Sequence, residues 1–235
     1  MNNEIPNADR LIFALDVTTA DHARALVATL GDTVSFYKLG LELLACREYF
    51  ALAEELQEQG KKIFLDLKLF DVPRTVAAAV KGLRRFGDTF VTVHGNDDML
   101  KAANAEKSDL KILAVTALTS LDQNDIDALG FKCSVRELVL SRARRAIAVG
   151  CDGVVASGLE AGTLKEALGS KHLIITPGIR PVANVDDQKR TVDLAQAFEN
   201  GADYIVVGRP IREAASPVEV AAQMQAQIRT IFDHH

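Results

Sequence analysis

Along this 235-residue chain, short apolar runs alternate with longer stretches of helical periodicity. Strand-like runs fall at Leu11–Val17, Val34–Gly40, Lys62–Leu69, Thr89–Gly95, Lys111–Leu118, Gly153–Ser157, Leu173–Ile179 and Tyr204–Ile211. Helical patterns follow them at Ala20–Leu30, Glu42–Gln59, Pro73–Phe86, Asp97–Glu106, Ser134–Val149, Leu159–Leu168, Val192–Asn200 and Pro217–Phe232. Ser134 has Glu137 three residues on, the spacing of a capping box, and Ser216 precedes a Pro suited to a first helical turn. Gly31, Gly60, Gly87 and Gly150 follow helical patterns, where a left-handed closing residue is common. The apolar runs are near-continuous Val, Ile and Leu, as in a parallel sheet covered by helices. Eight β units alternating with eight α units predict a (β/α)8 barrel, one domain over residues 1–235. No Gly-x-Gly-x-x-Gly follows the first run, so a dinucleotide-binding sheet lacks its usual fingerprint.

The third run carries the most chemistry. Alternation puts Ile63, Leu65, Leu67 and Leu69 on one apolar face and Phe64, Asp66 and Lys68 on the other. Charges withdrawn from water cost several kcal/mol each unless paired. A structural ion pair would account for Asp66 and Lys68 alone. Asp71 adds a second carboxylate just past the run, and a lysine between two carboxylates at the mouth of a sheet points to a site. Barrels of this class carry their chemistry at the C-terminal ends of the strands. At those ends stand Asp16, Lys38, Asp66 with Lys68, His94, Thr119 with Ser120, Arg180 and Arg209. Each alone could cap, pack or snorkel; together they mark one end as functional. The loops after strands seven and eight, where barrels often bind phosphate, supply Gly178 with Arg180 and Gly208 with Arg209. Arginine suits phosphate because its planar fork donates two hydrogen bonds at once. The polar segment 182–190 reads as a lid closing over a phosphorylated ligand.

Composition narrows the partners. Hydrophobic residues make up 48% of the chain, enough for a large core, and the net charge is −5. A pI near 5.6 gives no hint of a nucleic-acid or anionic-membrane surface. Cys46, Cys133 and Cys151 are odd in number and widely spaced, as expected of reduced thiols in a cytoplasmic protein. The N-terminus lacks a signal-peptide pattern. No apolar run reaches the roughly 18 residues that span a bilayer.

Asp66-Leu67-Lys68-Leu69-Phe70-Asp71-Val72-Pro73 matches the DxKxxDxP motif of the orotidine 5′-phosphate decarboxylase family, which the chain resembles. Phe13–Asp16, Tyr37–Gly40, Leu118–Ser120, Thr176–Pro181 and Val207–Ile211 resemble bacterial members of that family, in the same order. DxKxxD alone is shared by a superfamily; Lys38 and the two arginine loops make the match specific. The resemblance implies conversion of orotidine 5′-phosphate to UMP and CO2 in pyrimidine biosynthesis, without metal or cofactor. It implies that Lys68 protonates C6 within an alternating run Lys38–Asp66–Lys68–Asp71. It assigns Asp16 and Lys38 to the ribose, Thr119 (with Ser120) to the pyrimidine, and Gln188 to a bridge between base and phosphate. Arg180, Gly208 and Arg209 would hold the phosphate, beside Pro177 of the same loop motif. Asp71 and Thr75 would reach the neighbouring subunit's site, so a homodimer with shared sites is implied. Two alternatives stay open: a magnesium-dependent sugar-phosphate decarboxylase or aldolase of the same superfamily, and a phosphate-binding barrel without catalysis. The first usually presents a glutamate where this chain has Lys38.

Overall fold

A computed structural model describes residues 5–94, 96–180 and 192–233. Eight parallel strands close a barrel in sequence order. They are β1 (Leu11–Ala14), β2 (Phe36–Leu39), β3 (Lys62–Leu69) and β4 (Phe90–His94). The other four are β5 (Lys111–Val115), β6 (Gly153–Val155), β7 (Leu173–Pro177) and β8 (Tyr204–Val207), and β8 pairs back onto β1. The helices of the first half are α1 (Ala20–Leu30), α2 (Leu41–Leu44), α3 (Tyr49–Glu58), α4 (Pro73–Leu83) and α5 (Asp97–Ala105). Those of the second half are α6 (Gln123–Ala128), α7 (Val135–Ala148), α8 (Ala161–Leu168), α9 (Leu194–Glu199), α10 (Arg209–Arg212) and α11 (Pro217–Asp233). The expected (β/α)8 barrel is therefore present.

Strand alternation divides the core in two. Leu11, Phe13, Ile63, Leu65, Val91, Val93, Ile205 and Val207 point outward into the layer packed by the helices. Ile12, Ala14, Phe36, Phe64, Phe90, Leu113, Ile175, Tyr204 and Val206 point inward and fill the barrel. Inside, Phe90 makes edge-on contacts with Phe36, Phe64 and Tyr204 at 5.1, 5.9 and 5.2 Å. Burying each such ring stabilises the fold by about 1.5–3 kcal/mol. This aromatic plug is the floor on which the site rests.

The N-terminal end of the barrel is braced by carboxylates. Asp203 accepts from the Ile174 amide at 2.9 Å and pairs with Lys165 at 2.7 Å. Asp152 does the same with the Ile112 amide at 2.8 Å and Lys107 at 2.9 Å. Charges at this end are matched to backbone and partner, as structural charges must be.

Several boundaries differ from expectation. The single helix expected over Glu42–Gln59 is broken into α2 and α3, and Tyr49 turns inward to donate its hydroxyl to the Leu39 carbonyl at 2.8 Å. Arg84–Phe86 tightens into a 3-10 turn instead of continuing α4. Helix α6 was not expected; an Asp122/Asp125 capping box starts it. Helix α10 was not expected either, and Pro210 lies in its first turn. The Ser134/Glu137 box forms, and Gly31, Gly60, Gly87 and Gly150 all take positive φ.

Glycine is indispensable at Gly153, where a Cβ would lie 2.3 Å from the Leu173 carbonyl oxygen of the paired strand. Gly153→Ala should lower the unfolding free energy by about 1–3 kcal/mol, measured by urea denaturation. Unchanged stability would show that β6 and β7 separate more easily than their register suggests.

Candidate active site

At the C-terminal ends of the strands lies a cavity of about 340 Å³, lined by residues of every strand except β4. Phe64 and Val206 rise from the aromatic plug into it, and Ala14, Val115, Val155 and Pro177 complete the apolar wall. Asp16, Lys38, Asp66 and Lys68 supply charge on one side, with Thr119 and Ser120 among the lining residues after β5.

The four charges form a continuous alternating run. Asp16 Oδ1 lies 2.8 Å from Lys38 Nζ, Lys38 Nζ 3.6 Å from Asp66 Oδ2, and Asp66 Oδ2 2.8 Å from Lys68 Nζ. The inner pair is nearly sealed, with Lys38 and Asp66 side chains 11% and 12% exposed. The ends open to the cavity, with Lys68 at 31% and Asp16 at 38%. A Cβ at Gly40 would come within 2.7 Å of Lys38 Nζ, so a side chain there would have to displace the ammonium. Burial alone would push the Asp66 carboxyl up, but Lys38, Lys68 and hydrogen bonds from Lys68 and Thr92 hold it below its ordinary value. Burial likewise opposes the Lys38 charge, and Asp66 and Asp16 more than offset it, leaving its pKa raised.

Strand β3 does not reach this geometry by plain alternation. Leu65 pairs with Val91 and Leu69 with Val93, so Asp66, Leu67 and Lys68 stand opposite Thr92 alone. Lys68 takes φ +46°, a left-handed conformation unusual for a residue with a side chain. Bulges of this kind re-aim side chains beside functional sites.

Within one chain the run takes Asp16, and not Asp71, as its fourth member. Asp71 does not join Lys68 within the chain; it is exposed, and its Oδ1 accepts from the Val72 amide at 2.6 Å. It lies beyond the end of β3 on the outer loop, whereas Asp16, at the end of β1, lies beside Lys38. Thr75, in the first turn of α4, is exposed too. Gly208 sits against Asp16, and Arg209 opens α10. Arg180 is buried, its amide donating to the Val192 carbonyl at 3.0 Å. Gln188 and the expected lid 182–190 lie outside the described residues. His94 does not line the cavity; its ring packs edge-on against Phe70 at 5.5 Å. Burial, helped by Arg142 and Lys68, lowers its pKa, which keeps the ring neutral at pH 7.

Two contributors escape sequence reasoning. Arg212 donates to the Asp16 carbonyl and ties the loop after β8 to the loop after β1. Thr92 bonds both Asp66 and the Lys68 backbone from the neighbouring strand. No spacing signal marks either one, since both act across strands distant in sequence.

Fold and site together define a (β/α)8-barrel protein of the kind that carries its chemistry at the strand ends, around a lysine–aspartate charge run. The model of the orotidine 5′-phosphate decarboxylase / HUMPS family matches residues 9–224, and the chain belongs to that family. A Methylococcus capsulatus protein named orotidine 5′-phosphate decarboxylase is 60% identical over 98% of this chain and 96% of its own length. One of the same name from Xanthomonas campestris is 50% identical over 97% of this chain and 95% of its own. The crystal structure of orotidine 5′-phosphate decarboxylase from Lactobacillus acidophilus superposes with a TM-score of 0.83 at 35% identity, covering 94% of this chain and 99% of that one.

The perturbed carboxyl predicts a pH dependence. Because the folded pKa of Asp66 is depressed, its stabilising contribution is complete above the ordinary value of 3.8 and is lost as pH falls below it. Urea unfolding followed from about pH 6 to about pH 2 should show wild type losing more stability on the acid side than Asp66→Asn. Parallel curves would dismiss the depressed Asp66 pKa. Lys38, with a raised pKa, contributes below the ordinary lysine value of 10.5 and loses that contribution as pH rises past it.

Proposed function

We propose that the protein decarboxylates orotidine 5′-phosphate to UMP and CO2, with Lys68 as the acid that protonates C6. The observation that carries the reading is the run Asp16–Lys38–Asp66–Lys68, ending in an ammonium open to the cavity. The name shared by relatives 50–60% identical over nearly the whole chain supports it.

The chemistry asks for such a group. When the C6–carboxylate bond breaks, its electron pair stays on C6 in the plane of the ring and cannot spread into the π system. Stabilisation must come from charge already fixed in place, because preorganised charge costs no reorganisation during reaction. The Lys68 ammonium faces that pair and transfers its proton to C6, becoming a neutral amine that solvent reprotonates. Asp66, 2.8 Å away, orients the ammonium. Lys38 and Asp16 line the cavity and would bind the ribose hydroxyls, and Thr119 and Ser120, also in its lining, would bond the pyrimidine edge. In this reading Arg180, Gly208 and Arg209 would hold the phosphate beside Pro177, and Gln188 would bridge base and phosphate, as the family resemblance implies. The Lys38 ammonium, 3.6 Å from Asp66, repels a divalent cation at that carboxylate, which disfavours the magnesium-dependent relatives.

We further infer a homodimer with shared sites. Phe70 and Val72, 70% and 62% exposed, flank Asp71 on a loop beside the cavity, and an apolar pair of that exposure suits a subunit contact. Asp71, exposed and bonded to the Val72 amide in its own chain, would then complete the partner's run. The protein would act in the cytoplasm; among the described residues, no helix is long and apolar enough to cross a membrane.

Orotidine 5′-phosphate absorbance followed in EDTA should fall rapidly with wild type. Lys68→Ala should lose at least about 1000-fold in kcat while still binding UMP by calorimetry; near-normal turnover would overturn the assignment. Mixing inactive Lys68→Ala with Asp71→Ala should restore about a quarter of wild-type activity on statistical subunit exchange. No recovery, with mixed dimers present, would exclude sharing.

A further inference from the structure

We propose that Thr92 is a positioning residue of this site: its buried hydroxyl clamps the Asp66 carboxylate and the Lys68 backbone in the one arrangement that aims the Lys68 ammonium into the cavity. The inference deepens the decarboxylase reading and rests on it for its kinetic consequence.

Thr92 is fully buried and does not line the cavity, so it acts only through its neighbours. Its Oγ1 accepts from the Lys68 amide at 2.9 Å and donates to Asp66 Oδ1 at 2.8 Å. The other Asp66 oxygen takes the Lys68 ammonium at 2.8 Å. The result is a closed ring: Lys68 amide, Thr92 hydroxyl, Asp66 carboxylate, Lys68 ammonium. Lys68 is held at both its backbone and its side-chain end. The directions are forced, because an ionised carboxylate only accepts and an amide N–H only donates. Only a group that donates once and accepts once in the same place can close the ring.

The backbone explains why a clamp is required. The bulge sets three residues of β3 opposite Thr92, and it closes through Lys68 at φ +46°. A side-chain-bearing residue persists in that conformation when its surroundings over-determine it. Here the amide bond to Thr92 is the restraint on the strained residue itself. Thr92 is β-branched, so its rotamer is stiff and its hydroxyl direction is set by the strand.

The full-length protein tests this with Thr92→Val, which keeps the shape and loses the hydroxyl, and Thr92→Ser, which keeps the hydroxyl. Should Thr92→Val not fold, Thr92→Ala takes its place. Two quantities are read: steady-state turnover of orotidine 5′-phosphate, and the Asp66 titration by ¹³C carboxyl NMR. Thr92→Val should lower kcat roughly 10- to 100-fold with KM within roughly twofold, since misaiming a reacting group costs on that scale. The Asp66 midpoint should rise toward its ordinary value, and Thr92→Ser should restore both quantities to within about threefold of wild type. A purely structural role predicts lower melting temperatures with kcat unmoved. A Thr92→Val kcat within about twofold of wild type, or a Thr92→Ser as impaired as Thr92→Val, overturns the proposal. If wild type leaves orotidine 5′-phosphate untouched, the decarboxylase reading has failed, and the titration alone decides the clamp. A midpoint raised by Thr92→Val and restored by Thr92→Ser then supports it, and an unmoved midpoint overturns it.

Discussion

One carboxylate held between two ammonium groups, where water barely reaches, sets the terms for the rest of this molecule. Asp66 Oδ2 lies 3.6 Å from Lys38 Nζ and 2.8 Å from Lys68 Nζ. At an effective dielectric near 20, a pair about 4 Å apart gains about 4 kcal/mol. That is close to the penalty of several kcal/mol per ion for leaving water. Pairing therefore offsets burial and leaves little surplus for stability. What it does establish is direction: if Lys68 rotated away, the buried Asp66 would keep Lys38 and the Thr92 hydroxyl but lose its nearer ammonium, at 2.8 Å.

The barrel makes that arrangement tolerable. Its interior is closed by Phe36, Phe64, Phe90 and Tyr204, so the charges sit on a densely packed apolar floor. The two ends of the strands are used differently. At the N-terminal end, Asp152 and Asp203 each hold a backbone amide and a lysine, and their charge is spent on the fold. At the C-terminal end, the outer members of the run, Asp16 and Lys68, keep a part of their surface open to the cavity. Stability and chemistry are thus separated along the barrel axis, and the family's relatives share the same scaffold.

The alternation of apolar runs and helical patterns was enough to specify a closed eight-stranded barrel, because each strand must bury both faces and each helix one. The inward face of β3 was legible for the same reason: Asp66 and Lys68 are two apart, as residues on one side of a strand are. The glycines and arginines after β7 and β8 were legible as loop chemistry. Short helices were not. Helix α6 has Asp125 at its third position, where a capping box more often has Glu or Gln, and α10 is a single turn whose Pro reads as a breaker. Tyr49, the first residue of α3, finds its hydroxyl's partner on β2, a contact that helical periodicity does not encode.

By itself the sequence determined the barrel, the end that carries the chemistry and the lysine at its centre, since periodicity and the burial of charge are local properties. Only the tertiary structure decided that Asp16 rather than Asp71 completes the run within the chain, because that choice depends on the closure of β1 against β2 and the outward course of the loop after β3. Only it brought Thr92 opposite a bulge of three residues and gave Lys68 its left-handed turn. Register between neighbouring strands is a property of pairing across 24 residues of chain, and no pattern inside either strand encodes it.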